Sequence, residues 1–196
     1  MPTTYDPLKD SFLATLTIDS APACFSYFIL EENTDNWQTK AGKVLTLGNG
    51  TYGITQKYTS TLYANSTEDM EVPFYFKRIK DGYYNIYSAA TAGEYGKCLA
   101  TYDYGGSIKA QANSPSLYQL KVVKTIEADV IYEVEIYCAG DRLSLFNRET
   151  HGTEWHARVD ANYRKEGMPP LIVKGQNATF QIRIKEKNYA GLPTAK

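Results

Sequence analysis

The sequence has few cysteines, no surplus of either charge and no long hydrophobic run. Its 196 residues include 21 basic and 22 acidic side chains, which gives a net charge of −1. The chain has no basic patch and no block of like charges, so its charge distribution does not indicate binding to nucleic acid or to an anionic membrane. No apolar stretch approaches the ~18 residues that a membrane-spanning helix requires. These absences favour a globular domain.

The cysteines are odd in number and widely spaced: Cys24, Cys98 and Cys138. A secreted domain usually pairs its cysteines, often at close and repeated spacings, and neither property is present. The start of the chain also lacks the basic-then-apolar pattern of a secretory signal peptide. We therefore expect three free thiols and a cytoplasmic location. Three glycosylation sequons, at Asn49, Asn65 and Asn177, would matter only if the chain entered a secretory pathway.

Aromatic residues are abundant, at 13% of the chain, and 17 of them are tyrosines. Tyrosine favours pleated, half-buried surfaces, and its stiff amphipathic ring also suits binding faces. We expect most of these tyrosines to support a β-sheet.

A short pattern occurs three times in the chain. It reads Gly-Lys-Cys-Leu at 96–99, Gly-Lys-Val-Leu at 42–45 and Gly-Asp-Arg-Leu at 140–143. Each copy joins a glycine turn to a strand with leucine in the same register. A stretch that begins with an aromatic residue closes each unit, at 74–78, 118–122 and 180–184. Because self-similarity with a period of roughly 45 to 60 residues is typical of repeat architectures, we predict three related units.

Alternating hydrophobicity predicts further strands, among them 12–18, 25–30, 83–87 and 130–137, and no stretch has helical periodicity. Asn49-Gly50 predicts a hairpin turn. Residues 1–10 resemble an unstructured arm, and residues 59–71 and 159–175 resemble polar surface excursions. We predict one domain spanning 1–196, with repeats at about 25–80, 81–126 and 128–187 after an N-terminal extension over 1–24.

Each predicted unit contains four strands and is too small to bury its own hydrophobic face. The sequence therefore predicts an all-β fold of the β-trefoil type, in which three units close into a barrel capped by hairpins. A seven-stranded sandwich is less favoured, because that fold does not account for a sequence pattern that occurs three times.

The second unit contains Tyr-Asn-Ile-Tyr at 84–87, Gly-Lys-Cys-Leu at 96–99, Ile108, Gln111 and Tyr-x-Leu at 118–120. This combination resembles one repeat of the ricin B-type lectin family. The resemblance implies a β-trefoil with one potential pocket for a galactose-like sugar in each repeat.

Two features of that family are missing here. In the family, an Asp after the leucine of the glycine-containing stretch accepts hydrogen bonds from two sugar hydroxyls. In this chain the same position holds Thr46, Ala100 and Ser144. The cysteine partner that the family places downstream is also missing near 112–115, which leaves Cys98 unpaired. The resemblance therefore implies the scaffold but not the family's sugar site.

Residues that would carry catalysis are not arranged in a known pattern. Both histidines of the chain, His151 and His156, lie in one stretch with Glu154, at a spacing that matches no zinc-protease motif. The cysteines lack an identifiable histidine partner, and no glycine-rich phosphate loop is present. We therefore expect neither an enzyme nor a metal or cofactor site.

Two hairpins combine the residue types that bind sugars, in which an aromatic face packs on C–H groups while polar side chains bond the hydroxyls. The candidates in the second unit are Tyr102, Asp103, Tyr104, Gln111 and Asn113. Those in the third unit are Asn147, Arg148, Trp155, His156 and Asn162. Ordinary solvated hairpins are the competing interpretation of both clusters.

The favoured function is a non-catalytic lectin of the ricin B-like type, with a defensive role by analogy, and with glycans or glycoproteins as partners. One alternative is a β-trefoil protease inhibitor that acts through an exposed loop such as 59–71 or 159–175. The other is a protein-interaction trefoil without sugar binding.

Overall fold

The described part of the chain consists of β-strands joined by turns. A computed structural model describes residues 8–18, 21–32, 44–47, 50–64, 71–90, 94–101, 108–139, 141–142 and 179–192. In these ranges no helix occurs, and so no helix there is suited to crossing a bilayer. All described strand pairs are antiparallel, and the predicted all-β class is confirmed.

The strands are β1 (Phe12–Ile18), β2 (Ala21–Glu32), β3 (Val44–Leu47), β4 (Gly50–Ala64), β5 (Pro73–Lys80), β6 (Tyr83–Ser88), β7 (Cys98–Thr101), β8 (Ile108–Gln111), β9 (Tyr118–Glu127), β10 (Ile131–Cys138), β11 (Asp141–Arg142) and β12 (Phe180–Lys187).

Six of these strands pair in a closed cycle. β1 pairs with β5, β5 with β6 and β6 with β9. The cycle continues from β9 to β10 and β12, and β12 pairs with β1 again. The other strands lie in the segments between β1 and β5, between β6 and β9, and between β10 and β12. Along the chain, β1 and β5, β6 and β9, and β10 and β12 are thus each separated by a segment with strands of its own, whereas β5–β6 and β9–β10 are consecutive.

Aromatic rings from three successive strands of the cycle meet in the core. Phe12 of β1 stacks on Phe76 of β5 with ring centroids 4.7 Å apart, and both rings contact Tyr84 of β6 edge-on. All three side chains are buried. Burying a ring of this size contributes roughly 1.5–3 kcal/mol relative to leaving it exposed. The core is thus continuous from β1 to β6.

The remaining cycle strands bury every second residue, as strands with one face toward a core do. The buried side chains are Tyr118 and Leu120 of β9, Tyr132, Val134, Ile136 and Cys138 of β10, and Phe180, Ile182 and Ile184 of β12. The alternation read from the sequence therefore corresponds to the burial in the structure.

Hairpins connect several of the strands. β1 and β2 pair from Ile18 and Ala21 outward. β3 and β4 pair from Leu47 and Gly50 outward, at the position where Asn49-Gly50 predicts a turn. β7 and β8 pair along their full length. One pairing, between Thr61 and Lys109, links β4 to β8.

Two local expectations were wrong. Residues 59–64 belong to β4 rather than to a surface excursion, because β2 offers a partner long enough to continue the ladder to Ala64. Threonine and tyrosine, which dominate this part of β4, also have high β propensity. The arm expected over residues 1–10 is corrected at Leu8, which is buried against the core, whereas Lys9 and Asp10 are exposed and residues 1–7 lie outside the described residues.

The three cysteines are buried and none of them forms a disulfide, as expected. The thiol of Cys98 donates to the carbonyl oxygen of Gln111 at 3.2 Å. The sulfur of Cys138 lies 3.6 Å from the hydroxyl of Thr101. Burial raises the pKa of the Cys98 thiol, which keeps it in its unreactive protonated form.

Candidate functional site

The outward face of β5 and β6 carries two neighbouring tyrosines. Tyr75 alternates with the buried Phe74 and Phe76, so its side chain lies on the face of β5 that points away from the core. Tyr87 of β6 is the cross-strand partner of Tyr75. The two ring centroids are 6.0 Å apart, with 30° between the ring planes. The pairing places two aromatic rings side by side outside the core.

The C-terminal segment, residues 188–192, packs across these rings. The ring of Tyr189 contacts Tyr75 edge-on at 5.4 Å, and the Tyr189 amide donates to the carbonyl oxygen of Ser11 at 3.0 Å. Because Tyr189 covers it, Tyr75 is only 7% exposed although it faces away from the core. The segment therefore builds one wall above a floor of tyrosine rings.

A tight turn over residues 94–97 forms the opposite wall. The amide of Gly96 donates to the carbonyl oxygen of Ser88, and the amide of Ser88 donates to the carbonyl oxygen of Lys97, at 2.9 and 2.8 Å. Gly96 has a φ of +74°, in the left-handed region that glycine adopts without strain. The hydrogen bonds hold this turn, with Tyr95, against the end of β6.

The two walls enclose an open cleft of about 600 Å³, which we call the tyrosine cleft. This volume lies within the ~300–1,000 Å³ range of small-molecule sites. The lining residues are Tyr75, Lys77, Tyr87, Tyr95, Gly96, Lys97, Ala112, Ala190, Gly191 and Leu192.

Two of the described lining residues, Lys77 and Lys97, are cationic, and none of the described ones is a carboxylate. Lys97 forms an ion pair with Glu94 across the turn, at 3.0 Å between the ammonium nitrogen and a carboxylate oxygen. Lys77 lies on the same face of β5 as Tyr75, two residues farther along the strand. It is exposed and makes no ion pair with any residue that the structure describes. Among the described residues, Lys77 is thus the lysine of the cleft whose charge no carboxylate offsets.

The pKa is raised for two phenol groups, Tyr87 in the cleft lining and Tyr189 beside it. Burial, followed by the proximity of Cys98 and Tyr75, raises the pKa of Tyr87. Burial also raises the pKa of Tyr189, with smaller contributions from Tyr95, Glu186 and Tyr75. A neutral phenol donates one hydrogen bond and accepts others. Tyr87 therefore offers the cleft a neutral hydroxyl group at physiological pH.

This arrangement suits the binding of an amphipathic molecule. Ring faces pack on C–H groups, and hydroxyls and the Lys77 ammonium bond polar substituents. Among the described residues, no group of three or more side chains is placed to hold a metal ion.

Two residues predicted from the sequence lie next to the cleft. Ala112 lines the cleft between Gln111 and Asn113. The Gln111 amide donates to the carbonyl oxygen of Ser114 at 2.9 Å, and Asn113 is exposed. Eight other predicted site residues lie outside the described residues: Tyr102, Asp103, Tyr104, Asn147, Arg148, Trp155, His156 and Asn162.

Tyr75 and Tyr87 lie in strands predicted from the sequence but are not among the predicted site residues. Their signal was present, because each alternates with buried apolar residues and so faces away from the core. Tyrosine at outward positions of two adjacent strands marks an aromatic surface. That residues 188–192 form part of the cleft could not be predicted from local sequence, because their position depends on contacts with Tyr75 and Ser11, more than 100 residues earlier in the chain.

Comparison of the chain with protein-family models, curated proteins and solved structures finds no match.

Proposed function

We propose that the protein is a non-catalytic carbohydrate-binding protein and that the tyrosine cleft binds the sugar. The observation that carries this proposal is the cluster of Tyr75, Tyr87 and Tyr95 in one open cleft outside the core. A purely structural role in the β-sheet would not require several tyrosines to line one cleft of this size. Glycans or glycoproteins would be the partners.

A β-trefoil of the ricin B-like type is the scaffold that we propose for this site. The closed cycle of strands supports it, because the second and third predicted units contribute two members each, and the first contributes two once β1 is added to it from the predicted N-terminal extension. These pairs are β1 with β5, β6 with β9, and β10 with β12. The first unit then begins at β1, and the segments between the paired strands correspond to the hairpins that cap a trefoil.

The chemistry of the lining fits a sugar better than a purely apolar ligand. A pyranose ring has C–H faces that pack on aromatic rings and hydroxyls that need hydrogen-bond partners. The cleft offers tyrosine faces, phenol hydroxyls and a lysine ammonium within one concave surface. It is also open, which allows one end of a longer glycan to enter while the rest stays in solvent.

A glycan array followed by calorimetry with the best ligand tests the proposal. Tyr87→Ala removes a ring from the cleft lining and should weaken binding by up to about tenfold, since an aromatic contact contributes roughly 0.5–1.5 kcal/mol beyond the area that it buries. Tyr87→Phe keeps the ring and should retain most of the affinity. Tyr83→Ala is the matched control, because Tyr83 lies on the same strand but not in the cleft lining.

The same titrations separate the cleft from the hairpins predicted from the sequence. Tyr104→Ala and Trp155→Ala should bind like the parent if the cleft is the site. The proposal is wrong if Tyr87→Ala binds normally while its circular dichroism spectrum is unchanged. Loss of binding in Trp155→Ala alone would assign the sugar to the hairpin of the third unit.

A second candidate function, binding of another protein, is favoured by the β9–β10 hairpin. Val123 and Ile126 of β9 are 53% and 44% exposed, and each lies at a bulge in the ladder with β10. Beyond Leu120, β9 pairs with no other described strand, so it presents both an open edge and apolar side chains. Val123→Lys should abolish such an interaction and leave glycan binding unchanged, as pull-down and calorimetry would show.

A further inference from the structure

We propose that the ligand of the tyrosine cleft carries an anionic substituent, a sulfate ester or a carboxylate, and that Lys77 binds it. This inference rests on the proposed sugar-binding function and specifies the class of sugar. It follows from the placement of charge in the cleft.

The first observation is the position of Lys77 relative to the rings. Residues two apart on a strand share a face, so Lys77 extends the outward surface that begins with Tyr75. Its cross-strand partner is Asn85 of β6, a neutral residue whose amide donates to the carbonyl oxygen of Ser116. Lys77 therefore lies at the end of the aromatic floor, beside a neutral neighbour.

The second observation is that the two lysines of the cleft differ in their surroundings. Lys97 has Glu94 as an ion-pair partner, which offsets its charge. No described carboxylate pairs with Lys77. A ligand anion at Lys77 would thus meet a positive charge that no described carboxylate offsets, and no carboxylate among the described lining residues would repel it.

The strength of a hydrogen bond from the Lys77 ammonium also depends on the charge of the ligand. A hydrogen bond between an ammonium group and an anionic oxygen is roughly twice as strong as a bond between neutral groups. A neutral sugar would use Lys77 only as an ordinary donor. An anionic sugar of the same shape should therefore bind more tightly, by about tenfold at low ionic strength, and this advantage should shrink as salt screens the charge.

Calorimetry at low salt with three matched oligosaccharides tests the proposal. One carries a sulfate ester, one carries a uronic acid carboxylate, and the third is their neutral parent. We expect at least one anionic sugar to bind about tenfold more tightly than the neutral one. Which of the two is preferred identifies the substituent. Inorganic sulfate should compete weakly, since it lacks the ring that packs on the tyrosines.

Three variants assign the preference to Lys77. Lys77→Gln should reduce anionic-sugar affinity to the level of the neutral sugar, whose own affinity should fall by less than about twofold because glutamine still donates a hydrogen bond. Lys77→Arg keeps the charge and should retain the preference. Lys124→Gln is the matched control, because Lys124 is an exposed lysine on β9 that does not line the cleft.

The outcomes separate this proposal from the one on which it rests. If no sugar binds, or if Tyr87→Ala binds all three sugars normally, the proposed function itself is wrong. If sugars bind through Tyr87 with no preference for an anion, only the assignment to Lys77 is wrong. An equal loss of preference in Lys77→Gln and Lys124→Gln would also overturn it, because it would mean that general surface charge is responsible.

Discussion

Replacing Phe12 by alanine tests whether β1 is an integral part of the domain. The ring is 2% exposed, stacks on Phe76 at 4.7 Å and contacts Tyr84 edge-on at 5.5 Å. Removing it loses the transfer free energy of a buried aromatic, two ring contacts and the packing around the space left behind. Substitutions of this kind typically cost 3 to 5 kcal/mol, so we expect a loss of about 4 kcal/mol.

Urea unfolding followed by circular dichroism measures this loss. With an m-value of about 2 kcal/mol per molar, the unfolding midpoint should fall by about 2 M. Ile126→Ala is the surface control, because Ile126 is 44% exposed, and it should cost less than about 1 kcal/mol. If Phe12→Ala does not fold, Phe12→Leu, which keeps most of the volume, should still unfold at a midpoint below that of the parent.

Equal urea midpoints for Phe12→Ala and Ile126→Ala would contradict the predicted role of Phe12 in the core. β1 would then contribute little to the core, as expected of the N-terminal extension predicted over residues 1–24. A large loss would instead support a first unit that begins at β1.

Three further predictions concern charge, thiols and a turn. The hydrogen bond from Lys185, followed by that from Thr15, lowers the pKa of Glu71 below its usual 4.5. The associated stability is present above about pH 4.5 and is lost as the pH falls through the lowered pKa. As the pH falls from about 5 to about 3, the range in which carboxyl groups titrate, the unfolding free energy of the parent should therefore fall toward that of Glu71→Gln. A difference between the two proteins that stays constant over this range would contradict the prediction. In thiol titration, all three cysteines should react in denaturant and almost none in the folded protein, and fast reaction of the folded protein would contradict their burial. Gly82→Ala should cost about 1–2 kcal/mol in urea unfolding, because Gly82 has a φ of +68°, and an unchanged midpoint would refute that backbone conformation.

The sequence by itself determined the fold class and most strand positions. Alternation over 12–18 and 130–137 predicted strands that the structure has within one residue, because one face of each strand must be apolar to meet the core. Pro73 and Asn49-Gly50 marked a strand start and a hairpin through local backbone geometry. These signals are local, so no knowledge of distant partners was needed.

The tertiary structure decided how β1 is used, how far β4 extends and where the cleft lies. Phe12 is a core residue because β5 and β6 bring Phe76 and Tyr84 to it from more than 60 residues away in the chain. Local patterns cannot specify such a meeting. In the same way, Tyr75 belongs to a cleft only because Tyr189 and the C-terminal segment pack over it. Alternation predicted which face these tyrosines occupy, whereas long-range pairing decided that this face became a concave surface.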